Sequence, residues 1–171
     1  MGDPRFEKSV VLVCAHSDEG AMGLIINTPL NDLTLSGLLE HHGIPEAPEG
    51  RKIRVHFGGP VERGRGFVLH SRDYAGGAAT MEVTADYGMT ATLDVLEALA
   101  QGAGPEQALL ALGYSGWGPG QLEAEIARND WLTAEAPADL IFAENDGGKW
   151  LAVLRGMGID TLTLSATAGR A

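Results

Sequence analysis

Two apolar runs, Val10 to Ala15 and Met22 to Ile26, flank the polar stretch Ser17-Asp18-Glu19-Gly20. Both are too short for an ordinary helix and neither has a polar face, as in strands covered on both sides. Joined by a turn that ends in glycine, they predict a buried antiparallel hairpin. A chain built on such a hairpin must supply more sheet to pair it and helices to cover it.

The rest of the sequence offers both. Asn27-Thr28-Pro29 ends the second run, and Thr34 is placed to cap a helix whose Leu35, Leu38 and Leu39 share one face. Ile53, Val55 and Phe57 alternate with Arg54 and His56, the period of a half-buried strand, which Gly58-Gly59-Pro60 stops. Phe67 to Leu69 predicts a short strand, Tyr74 to Ala79 a Gly/Ala-rich loop, and Met81 and Val83 around Glu82 another strand. Leu93, Leu96 and Leu99 then fall at helical spacing, with Thr92 as cap and Gly102 and Gly104 as terminators.

Pro105 and Glu106 suit the first turn of a further helix with Leu109, Leu110 and Leu112 on its inner side, after which Leu112 to Trp117 runs extended. Pro119 opens a helix carrying Leu122 and Ile126. Leu140 to Phe142 predicts a late strand, Trp150 to Leu154 a short helix, and the tail from Thr161 is weakly determined. No repeat or linker divides the chain, so residues 1–171 are expected to form one mixed α/β domain with antiparallel strands.

Composition narrows the function. Twelve basic and 23 acidic side chains give a net charge of −11, a field that repels a phosphate backbone. Arg51, Lys52 and Arg54 form one basic cluster, and Arg63 and Arg65 a smaller one, but no aromatic residues interleave with them as a nucleic-acid surface requires. Direct nucleic-acid binding is not expected. A single cysteine, Cys14, excludes an internal disulfide and a Cys-rich zinc site. Met1 to Ser9 lacks an apolar signal stretch and no run approaches a bilayer span, so a cytoplasmic protein without a membrane partner is expected.

The short motifs fail as signatures of chemistry. Gly113-Tyr114-Ser115-Gly116-Trp117 has Trp117 where a nucleophile elbow needs glycine. Cys14 and His16 are two apart, which on a regular strand sets both on one face, yet Cys14 lies in the most apolar stretch. His16, Asp18 and Glu19 have no second histidine at ligand spacing, and adjacent His41 and His42 diverge on a helix, so no metal is expected. Gly147-Gly148-Lys149 precedes Trp150 rather than Ser or Thr, and no dinucleotide fingerprint exists, so no cofactor is expected either.

Four longer segments carry a resemblance. They are Asp3-Pro4-Arg5-Phe6 with Ser9-Val10; His16 through Gly20-Ala21-Met22-Gly23 to Asn27-Thr28-Pro29; Gly58-Gly59-Pro60-Val61 with Arg65 to His70; and Gly113 to Glu123 through Asn129-Asp130-Trp131-Leu132. In order and spacing the chain resembles the bacterial YqgE/AlgH family over nearly its whole length. The resemblance implies an α/β fold whose bent, bifurcated, largely antiparallel sheet forms a pseudo-barrel flanked by helices. Some members are named as transcriptional regulators, though this chain shows no DNA-binding motif, and the family supplies no catalytic set to carry over. Members usually begin with an apolar strand before the Asp-Pro-x-Phe segment, so an N-terminal strand is expected to be missing here and a sheet edge left open.

The reading that follows is a cytoplasmic binding or regulatory protein whose partner is another protein or a small anionic ligand. Gly58, Gly59, His70, Trp117, Gly118 and Gln121 are its candidate ligand residues. The glycines allow close backbone approach, the helix opening at Pro119 offers free N–H groups, and His70 adds a titratable donor. Trp117 and Trp131 are also expected to anchor that helix. The alternatives are a hydrolase or transferase drawing on His16, Cys14, Ser115 and His70, and a structural interaction module.

Overall fold

The structure is a computed structural model and describes residues 6–74, 80–91 and 93–159. Among these, eight strands and five helices form a curled, mostly antiparallel half-barrel sheet with helices against it. The apolar runs are strands β1 (Val11–Ser17) and β2 (Gly20–Ile25), paired antiparallel through the predicted turn, with a bulge between Val13 and Ala15. Pro29–Thr34 (β3) leads into α1 (Leu35–His41), where Thr34 accepts the Gly37 N–H at 3.0 Å as its cap. Then come β4 (Arg54–Phe57), β5 (Val61–Ser71), β6 (Thr80–Glu82), β7 (Tyr87–Thr90) and α2 (Leu93–Ala100). The chain continues through β8 (Ala108–Trp117), α3 (Gln121–Ala127), α4 (Ala138–Ile141) and α5 (Asp146–Gly156).

Strand β8 is the hub. One edge pairs antiparallel with β5. Its other edge is shared, first by β4 in parallel along Leu110 to Leu112, then by β2 antiparallel along Ser115 to Trp117. The sheet forks between these partners, where Gly113 takes a φ of +74° and the Gly58-Gly59 turn enters the gap. A Cβ on Gly59 would lie 2.1 Å from the Tyr114 carbonyl carbon, so any side chain there would force the two backbones apart. The Gly58 carbonyl accepts the Ile25 N–H, and its own N–H donates to Leu112, which ties both prongs to the turn.

Residues alternate on β8 between two cores. Leu109 and Ala111 join Leu12, Leu24, Phe67 and Met89 inside the curl, while Leu110 joins Val55, Val68 and the leucines of α1 and α2 outside it. Coverage of both faces explains one correction. The apolar stretch after Pro105 was expected to open as a helix, but an aliphatic run buried on both sides is a central strand. Arg51, bonded to the carbonyls of Pro105 and Glu106, fastens its approach.

Other departures have local causes. Of Leu140 to Phe142, expected as a strand, Leu140 and Ile141 end the single turn of α4 and Phe142 is its C-cap, a turn that Pro137 and Asp139 favour at its start. His56, expected on the polar side of a half-buried strand, is 2% exposed because α5 covers that side. Strand β3 begins at Pro29, a position where a strand tolerates proline, and β7 carries too few residues to show a period. The Thr92 cap, the Gly/Ala-rich loop over 75–79, the first five residues and the tail from Thr161 lie outside the described residues.

Candidate functional site

The inside of the curl does not close. Between the β1–β2 turn, the start of β5 and the β6 edge, the inner core continues into an open cleft of about 840 Å³. Its floor is Phe67 and Met89, both core residues, and its walls are Met22, Met81, Tyr114 and Trp117. Tyr114 meets Phe67 edge to face at 5.8 Å, and the Arg65 guanidinium stands 5.2 Å over the Phe67 ring. At the rim Arg65 pairs with Glu62, and His16 with Glu123 of α3. The His16 hydrogen bond, followed by the backbone of its own residue, holds the Glu123 carboxyl below the usual range.

Trp117 closes one end and is 7% exposed. Its indole N–H donates to Glu125 at 2.7 Å, and the Trp131 indole donates to the same carboxylate oxygen at 3.0 Å. The two rings meet edge to face at 6.0 Å, with Phe6 against Trp131. The helix opening after Pro119 is therefore anchored by both tryptophans, as its flanking residues suggested.

The structure separates the candidate ligand residues. Trp117 lines the cleft, and Gly118 and Gln121 follow it at the exposed start of α3, where the Gly118 N–H is already held by Gln121 Oε1 at 2.9 Å. Gly58 and Gly59 are buried at the fork against β8. His70 is fully buried at the other end of β5, paired with Ala108, with Nε2 2.8 Å from the Thr90 hydroxyl.

The hydrolytic combination is likewise dispersed. The bulge after Val13 breaks the expected alternation, so Cys14 turns into the core while His16 is exposed. Burial pushes the Cys14 thiol up to about 12. Ser115 is 1% exposed and donates to the Gly58 carbonyl. No hydrogen bond joins any two of His16, Cys14, Ser115 and His70 among the described residues.

A second polar centre escaped the sequence reading. Asp146, 4% exposed at the start of α5, receives Arg54 and the His56 imidazole, the latter at 3.0 Å, on one oxygen. Its other oxygen lies 3.0 Å from the Lys149 ammonium as an ion pair without hydrogen-bond alignment. Lys149, 1% exposed, donates instead to the Ile26 carbonyl at 2.9 Å. Burial lowers the pKa of both His56 and Lys149, and Asp146 opposes the shift in each. The only sequence signal was a lysine one turn after an aspartate; its partners on β4 are 90 residues away.

The curled, mostly antiparallel half-barrel flanked by helices is the class of fold, and the comparisons give the family. The chain belongs to the AlgH-like family, DUF179, whose model matches residues 1–162. It is 68% identical over 171 residues to a UPF0301 protein of Cereibacter sphaeroides and 56% identical over 172 residues to one of Ruegeria pomeroyi. Each alignment covers 100% of this chain and 93% of the relative. The solution structure of AlgH from Pseudomonas aeruginosa matches with a TM-score of 0.81 and 38% identity, covering 97% of this chain and 87% of that one. A Corynebacterium diphtheriae crystal structure shares the fold at a TM-score of 0.66 and 20% identity, covering 86% and 76%.

Proposed function

We propose that the protein is a cytoplasmic binding or regulatory protein that acts through the open cleft rather than by chemistry of its own. One observation carries the reading: the inner core runs uninterrupted into an accessible, apolar-walled mouth. Methionine walls suit a ligand or peptide of variable shape, since the unbranched thioether adapts to what it meets. Arg65 and His16 at the rim, each tethered to a glutamate, would receive an anionic end. Within this reading Trp117 is the rigid end wall, and Gly118 and Gln121 meet only a ligand that extends past it.

The test uses anilinonaphthalene sulfonate, an apolar anion, followed by fluorescence and by amide shifts. Saturable binding is expected, with shifts at Met22, Met81, Tyr114 and Trp117. Met81 is 42% exposed, so Met81→Asp should abolish binding while moving stability by no more than about 0.5 kcal/mol. Probe binding unchanged by that substitution would remove the cleft from consideration.

A further inference from the structure

Away from the cleft, and sharing no lining residue with it, a small pocket of about 270 Å³ opens where β4 begins. Arg51, Lys52 and Arg54 line it, and buried His56 forms its base. In a chain of net charge −11 with only 12 lysines and arginines, three of them fall within four positions here, and a fourth, Lys149, is sealed behind the pocket.

We propose that this pocket binds a small tetrahedral oxyanion, as free phosphate or as the phosphate of a small monoester. Asp146 alone faces Arg54 and Lys149, so two cations share one carboxylate. Arg54 stands 47% exposed at the pocket and shares its partner carboxylate, so an anion docked on Arg54 and Arg51 would complete the pairing. Glu106 and Glu144 also line the pocket, but both are exposed, where solvent screens them.

Arg51 is held by the carbonyls of Pro105 and Glu106, and Arg54 by Asp146, so both guanidiniums are already positioned and lose little freedom on binding. Lys52 is 83% exposed, with Glu46 at 3.4 Å, and is free to swing over the mouth. The volume falls just below the range of pockets for drug-sized ligands and admits a phosphate group with little attached. The pocket has room for one phosphate group and the chain as a whole carries −11, so a nucleic-acid backbone is not the ligand that fits.

The experiment titrates the full chain with inorganic phosphate at constant ionic strength, against chloride, and follows backbone amide shifts. Saturable shifts at Arg54, His56, Gln107 and Glu144, absent with chloride, are expected. Parallel titration with glycerol 3-phosphate separates the sources: saturation by both supports a monoester ligand, and saturation by phosphate alone supports the free ion. Lys52→Glu, at an exposed position the fold tolerates, should weaken binding on the order of tenfold. Linear shifts that match chloride, or an affinity unchanged by Lys52→Glu, would overturn the proposal.

Discussion

Two helices are fastened to this sheet by a buried carboxylate, and they are fastened differently. Glu125 of α3 receives two neutral indole N–H groups, embedded in aromatic edges from Trp117, Trp131 and Phe6. Asp146 of α5 receives charged groups, Arg54 and Lys149, together with His56. In the first anchor much of the stabilisation comes from ring burial, and the carboxylate mainly orients the rings. In the second, the charges have been taken out of water and hold only as a set. Neutral anchoring should therefore weaken gradually when altered, whereas the ionic anchor should fail abruptly when one member is removed.

The largest effect expected is at the ionic anchor. Lys149→Ala leaves Asp146 without its buried ammonium partner and the Ile26 carbonyl without a donor, and should cost about 3–5 kcal/mol in urea unfolding. A loss below about 1 kcal/mol would show that the two anchors do not differ in kind. Trp131→Ala comes next, at about 2–3 kcal/mol, below the cost for a fully enclosed ring because Trp131 is only half-buried. Glu125→Gln should cost less, about 1 kcal/mol, because both indoles donate to one oxygen, whose place the amide oxygen can take as a weaker, uncharged acceptor. A cost equal to that of Lys149→Ala would erase the distinction.

The smallest effect is one of pH. Burial, the largest influence on His56, holds its folded pKa below the usual 6.5 against the opposing pull of Asp146. The groups around it are Asp146 and Lys149 from α5, Arg54 from its own strand, and the Leu110 carbonyl from β8. The folded state therefore binds the proton less readily than the unfolded chain. The resulting stability is present above about 6.5 and is lost as pH falls toward the folded value. Thermal midpoints measured across that window should decline in the parent and decline less in His56→Asn. Equal slopes would mean that His56 does not titrate on unfolding.

The two anchors also differ in how readable they were. Trp117, Pro119, Leu122 and Trp131 lie within fifteen positions, so their packing on one helix follows from local spacing. The β1–β2 hairpin and the Thr34 cap were readable for the same reason. The ionic anchor joins β4 to α5 across 90 residues, and no period or spacing links Arg54 and His56 to Asp146. Strand β8 was half misread because Pro105 and Glu106 imitate a helix start, and only the second core on the outer face reveals a strand there. As for the cleft, Trp117 alone of the six candidate residues lines it. Its methionines come from strands separated in sequence, so only the curl of the sheet brings them together.

The forked hub has a consequence for how the chain is made. Strand β8 holds the pairings of β2, β4 and β5, yet it begins at residue 108. Until that segment leaves the ribosome, the β1–β2 hairpin, β4 and most of β5 lack the edge they pair with, and their apolar faces have no opposite wall. Such late, long-range pairing is slow and leaves sticky edges exposed during synthesis. A nascent chain halted before Ala108 should stay protease-sensitive and draw chaperones, and release through Trp117 should bring protection to the earlier strands together rather than in chain order.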